Sequence, residues 1–189
     1  MNTIPGGTPY RQPLVLLRSN RDGTFDDVSQ TLANMPPQAR RGAAFGDINN
    51  DGNVDIVILN VGAPPSLLLN RNQSPNHRVL FKLIGTKSNK AAIGARLTVK
   101  AGDLVQFSEV RGGASYLSQN DLRLHFGLGA NDKITEASIR WPNGETETLH
   151  NVAADFIYTV VEGEGISQKI ALPPVSQAGS QARRGAEGR

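Results

Sequence analysis

GDINNDGNVDIVILN, residues 46–60, gathers Asp47, Asn49, Asp51 and Asp55 around Gly52 and then runs straight into an apolar stretch. The four side chains stand at positions 1, 3, 5 and 9 of a D-x-N-x-D-G-x-x-D pattern, with the glycine at position 6, where a sharp turn needs a residue free of Cβ. As such a loop curls, alternate side chains converge on one point, and the carbonyl of Asn53 at position 7 supplies a further oxygen. Hard oxygen ligands at this spacing suit Ca2+. An EF-hand is excluded, because its position 12 is a bidentate Glu and here it is Ile58, inside an apolar strand. The plainer alternative is an Asp/Asn/Gly hairpin without metal, which is how the shorter NRDG at 20–23 is read. Five matched positions at once favour calcium for 47–55.

Outward from the loop, short apolar runs with period-2 alternation are separated by turn residues, and 20 Gly with 11 Pro favour short strands over long helices. Strands are expected at 14–18 and 24–28, joined by SNRDG, at 42–48 and 54–61 on either side of the acidic loop, and at 66–70. LLRSN at 16–20 and LLNRN at 68–72 lie about fifty positions apart, the order of a propeller-blade repeat. Beyond Pro75, seven more strands are expected, at 77–84, 95–100, 104–111, 122–126, 135–141, 145–149 and 156–161, the set of a small β-sandwich or barrel. From Ser167 onward Gln, Ala, Gly, Ser, Pro and Arg replace the alternation, so 167–189 is expected to be a disordered tail. The chain thus divides into 1–75, 76–166 and 167–189, and its class is all-β.

Charge and composition remove several functions. The formal charge is +3, but Lys169, Arg183, Arg184 and Arg189 against Glu187 carry all of it; taking these from 20 basic and 17 acidic residues leaves 16 of each in 1–166. A neutral body gives no electrostatic basis for binding nucleic acid. Cysteine is absent, which excludes disulfides, thiolate metal sites and a cysteine nucleophile. No run approaches the roughly 18 apolar residues of a membrane span, and MNTIPGGTPYRQP lacks the basic start and apolar core of an export signal.

GAAFGDINNDGNVDIVILN at 42–60, with LLRSNRDGTFDDVS before it and PSLLLNRN after it, resembles the FG-GAP or VCBS repeat, a β-propeller blade whose calcium loop joins two adjacent strands. AIGARLTV at 92–99, EVRGGASYLSQNDLRLHFGLG at 109–129, IRWPNGETE at 139–147 and EG at 162–163 resemble the ASPIC/UnbV domain, which follows such repeats. The resemblance covers about 10–166. It implies calcium ligands at Asp47, Asn49, Asp51, Asn53 through its carbonyl, and Asp55, and a partial β-propeller ahead of the small β-domain. A propeller needs at least about four blades, and this chain holds one and part of another. The expectation is a fragment of a longer secreted or cell-surface protein, able to self-associate through the apolar faces of an incomplete propeller.

In the second region Ser115, Asp121 and His125 can be drawn as a triad, but no G-x-S-x-G elbow is present, and a histidine inside a strand more often makes a structural hydrogen bond. Ser115, Tyr116, His125 and Trp141 are carried as candidate ligand-binding residues, with Trp141 more simply the aromatic anchor of its hairpin. His77, His125 and His150 are too scattered for zinc. Two functions remain: a non-enzymatic, calcium-binding interaction module for a protein or glycan partner, or an enzyme or biosynthetic accessory domain of UnbV type holding a small molecule near Tyr116 and His125.

Overall fold

Asp22 accepts the backbone N–H (2.9 Å) and hydroxyl (2.6 Å) of Thr24, an Asx turn that folds the SNRDG connection back on itself. It joins β1 (Leu17–Ser19) to β2 (Phe25–Asp27) as an antiparallel hairpin. This computed structural model describes residues 9–20, 22–32 and 34–174. β3 (Arg40–Gly46), β4 (Asp55–Asn60) and β5 (Ser66–Leu68) form a separate antiparallel sheet with β4 in the middle, and the acidic loop is the β3–β4 connection. The expected hairpin and three strands are therefore present, as a two-stranded and a three-stranded sheet.

The remaining strands are β6 (His77–Ile84), β7 (Arg96–Ala101), β8 (Leu104–Glu109), β9 (Leu124–Gly129), β10 (Lys133–Arg140), β11 (Thr146–Ala153), β12 (Phe156–Val161) and β13 (Gly165–Ala171). They make two four-stranded sheets, ordered β11-β10-β7-β8 and β13-β12-β6-β9, and the chain crosses between them after β6, β8, β9 and β11. β6 and β12 are neighbours and parallel, because β7 to β11 intervene through both sheets. Alternation fixes the inner faces: Val79, Phe81 and Leu83 of β6, Leu97 and Val99 of β7, and Leu124, Phe126 and Leu128 of β9 are all buried in one core. Phe81 stands edge-on to Phe126 and stacks on Tyr158, with centroids 6.2 and 5.6 Å apart. The sheets are open at their edges, so the sandwich alternative holds and the barrel does not.

The sequence boundary at 166 is corrected. β13 pairs along β12, the Lys169 ammonium lies 3.7 Å from the Phe156 ring centroid, and Leu172 is buried. Gly165–Ala171 is an edge strand with almost no inward apolar side chain; its order comes from backbone pairing, which composition does not register. The rest of the expected tail, 175–189, lies outside the described residues. β9 also starts two positions later than expected, because the preceding chain is diverted to the repeat sheet. Ser115 Oγ accepts from Ala43 N–H (3.4 Å), Asn120 Oδ1 accepts from Phe45 N–H (3.1 Å), and Asp121 N–H donates to the Phe45 carbonyl (2.9 Å). Residues 115–121 thereby close the free edge of β3, as covered edges require.

Candidate functional site

The acidic loop folds around its own carboxylates. Asp47 Oδ1 and Oδ2 accept the N–H groups of Asp51 (3.0 Å) and Gly52 (2.9 Å), Asn49 Oδ1 accepts Asp51 N–H (3.1 Å), and Asp51 Oδ1 accepts Asn53 N–H (2.8 Å). Asp55, opening β4, closes the loop by accepting Ile48 N–H (3.0 Å) and Asn70 N–H (2.8 Å). Asp47 is 3% exposed and Asp55 0%. Burial pushes the Asp47 carboxyl above its ordinary range; the two N–H bonds and the Arg123 charge oppose this, while the Asp51 charge adds to it.

The other side of the loop is gripped by the sandwich. Arg78 donates through Nε and Nη2 to the Asp51 carbonyl (3.2 and 2.6 Å), and Arg123 donates to the Asp47 carbonyl and to Asn50 Oδ1. His125 Nε2 lies 2.8 Å from the Gly52 carbonyl, and because a carbonyl only accepts, that nitrogen carries the proton. Gly52 is required twice over: its φ is +83°, and a Cβ there would sit 2.1 Å from Arg78 Nε. Gly42 and Gly46 are also closed, by Tyr116 O and Ser118 Oγ at 2.4 Å and by Asp121 Cβ at 2.7 Å.

Do these residues fit calcium? The donors are hard oxygens, and two carboxylates are buried with no cation at ion-pair distance among the described residues, a state that buried charges usually avoid by pairing or by holding a metal. Each oxygen that accepts one N–H keeps a second lone pair. Among the described residues, however, no three acidic or histidine side chains are gathered as a metal cluster, and the carboxylates serve the loop's own amides. The donor chemistry fits, with Asp47, Asn49, Asp51, Asp55 and the Asn53 carbonyl as the residues that would hold the ion.

The other candidates are dispersed. Ser115 caps β3, His125 holds Gly52, and Asp121 is paired with Arg123, whose Nε lies 2.6 Å from its carboxylate, so the paper triad has no mutual hydrogen bond among the described residues. Tyr116 is 64% exposed at the tip of the strap. Trp141 is 1% exposed in the core and offers no ring for a sugar to stack on, which corrects its place among ligand-binding candidates. Sequence reasoning missed Arg78, Arg123 and Asn120 as loop and strap contacts. It also missed Glu162, a buried carboxylate that accepts the N–H groups of Thr86, Lys87 and Ser88, the Ser88 hydroxyl and the Asn143 amide. The WPNG turn and the closing EG are the only signal of that clasp.

Residues 85–167 match the family described as ASPIC and UnbV, and residues 7–58 match the FG-GAP-like repeat. Cartilage acidic protein 1 of Homo sapiens is 27% identical over 153 residues, which is 78% of this chain and 22% of that protein. The proteins of the same name from Mus musculus and Xenopus tropicalis are each 26% identical, over 78% of this chain and 23% and 22% of theirs. The chain therefore spans under a quarter of the length of these relatives.

Proposed function

Taking as premise that the chain joins an FG-GAP-like repeat to an ASPIC and UnbV domain, we propose that it is a non-enzymatic interaction module of an extracellular protein, with one Ca2+ held by the 47–55 loop. The observation that carries this is the pair of buried carboxylates, Asp47 and Asp55, which form no salt bridge among the described residues, in a loop that the sandwich grips from its carbonyl side. A bound divalent cation would supply the missing positive charge. Its role is structural: it would hold the β3–β4 connection in the shape that Arg78, Arg123 and His125 recognise. Groups with catalytic potential are already engaged in holding the two regions together, which supports the non-enzymatic reading. The relatives' name refers to cartilage, and extracellular calcium suits a site with Kd on the order of 10⁻⁴ to 10⁻³ M. Exposed apolar side chains of the repeat, such as Leu59 and Leu67, are the surface on which further repeats or a second copy would dock.

Titration calorimetry on the wild-type chain and on Asp51→Ala tests the calcium site. The wild type should release or absorb heat with a saturable calcium isotherm that the variant loses, and calcium at tenfold Kd should stabilise the fold by about 1.4 kcal/mol. Equal isotherms from the two proteins would overturn it.

A further inference from the structure

The β13-β12-β6-β9 sheet has an outer face that the repeat only half covers. Register across the strands places Ile170, Ile157, Leu80 and His125 in one row on that face, and Gln168, Thr159 and Lys82 in the next, with Arg123 beyond them at the approach to β9. The acidic loop sits over the His125 and Arg123 end. Beside that end lies a cleft of about 510 Å³, walled by Asn50, Asp121 and Arg123 and floored by Lys82, Ile157, Thr159, Gln168 and Ile170. That volume lies within the roughly 300–1,000 Å³ typical of small-ligand sites.

The chemistry of the cleft is one-sided. Lys82 is exposed and makes no hydrogen bond or ion pair among the described residues. Asp121, the acid at the rim, is already neutralised by Arg123. Asn50 Oδ1 is taken by Arg123, which leaves its amide nitrogen to donate, and Gln168 Oε1 accepts weakly from the Thr159 hydroxyl (3.4 Å), which leaves the Gln168 amide nitrogen to donate as well. The unspent donors are thus an ammonium and two amide N–H₂ groups, with the Thr159 hydroxyl left to accept, beside the exposed Ile170 and the buried Ile157. A matching ligand carries a carboxylate, several acceptor oxygens and an apolar face.

We propose that this cleft binds an acidic saccharide, with a hexuronate carboxylate on Lys82, ring hydroxyls on Gln168, Thr159 and Asn50, and the C–H face of the ring against Ile157 and Ile170. The amides of β6 and β12 under the floor are spent in the sheet, so a ligand lying there meets side chains, and a sugar needs no backbone partner. The proposal deepens the interaction-module reading by naming a ligand class, and it involves none of the residues assigned to calcium.

The test is a titration of the full chain, followed by backbone amide NMR, with a galacturonic acid tetramer, the neutral galactose tetramer and a glutamate tetramer. It is run once with chelator and once with millimolar calcium, so that failure of the calcium site and failure of the cleft are read separately. The uronate should give saturable shifts at Lys82, Thr159, Gln168 and Ile170. Lys82→Gln should weaken binding about tenfold, one ion-paired hydrogen bond; Lys82→Arg should restore most of it, and neither should move the melting temperature. Equal binding of the neutral tetramer, undiminished binding by Lys82→Gln, or shifts confined to another face would overturn the proposal. Tighter binding of the glutamate tetramer in the cleft would overturn the sugar class in favour of an acidic protein partner.

Discussion

The sandwich and the repeat sheet each bury carboxylates among backbone N–H groups, and they differ in what is left unbalanced. Burial pushes the Glu162 carboxyl up, but the N–H groups of Ser88, Thr86 and Lys87 and the Ser88 hydroxyl outweigh it and bring the group down to about 2 from its ordinary 4.5. At Asp47, two N–H bonds and the Arg123 charge fall short of burial, and the group moves the other way. Five donors make the Glu162 clasp self-sufficient; the repeat loop retains buried negative charge. The same contrast runs through the packing. The sandwich closes over a continuous apolar core, whereas the repeat sheet buries Ile58, and Ala39 just before β3, beside Asp47 and Asp55. One region carries its own driving force, and the other depends on its loop and its neighbour.

The largest expected effect comes from separating them. Residues 76–174 expressed alone should melt cooperatively, since they hold both four-stranded sheets and the core, while residues 1–75 alone should show no cooperative transition. A cooperative melt from 1–75 would break the contrast. The interval runs to 174 rather than 166 because β13 and Leu172 complete the second sheet.

Acid should next distinguish the two carboxylate arrangements. Glu162 has a folded pKa below its unfolded value, so its stabilisation is complete above about pH 4.5 and is lost as pH falls toward about 2. Thermal melts of 76–174 should therefore fall across that window. Glu162→Gln should melt lower at neutral pH and lose that part of the acid dependence; an unaltered pH profile in the variant would show that the clasp contributes nothing.

The smallest effect belongs to the seam. A Cβ at Gly42 would lie 2.4 Å from the Tyr116 carbonyl and from Ser118 Oγ, so Gly42→Ala should displace the 115–121 strap at a cost of about 1–3 kcal/mol. Hydrogen exchange should quicken at the amides of Ala43, Phe45 and Asp121 while the core amides of β6 keep their protection. Gly127→Ala, where a Cβ meets nothing within 4 Å, is the matched control and should change stability by less than about 0.5 kcal/mol. Equal behaviour of the two variants would remove the strap as a determinant of docking.

Period-2 alternation and turn chemistry are local, and they made twelve strands and the acidic β3–β4 connection legible from residue types alone. β13 escaped because its partner is β12 and its own side chains are mostly exposed. The resemblance to FG-GAP and ASPIC/UnbV sequences rested on contiguous words, and the family matches cover 7–58 and 85–167, leaving PSLLLNRN at 65–72 outside them. The partners of Ser115 and His125 were not legible, since Ala43 and Gly52 lie more than seventy positions away in the chain.

The sequence by itself determined the all-β class, the curled shape of the 47–55 loop and the absence of thiol chemistry, because each follows from residue type and near-neighbour spacing. Only the tertiary structure decided that GGASYLSQND is a strap on β3, that Trp141 is core, that Arg78, Arg123 and His125 hold the acidic loop by its carbonyls, and that Lys82 is left facing an open cleft. Those outcomes depend on which strands become neighbours and which faces are covered. Residues distant in sequence share them only after the sheets have formed, and no local pattern encodes the distance.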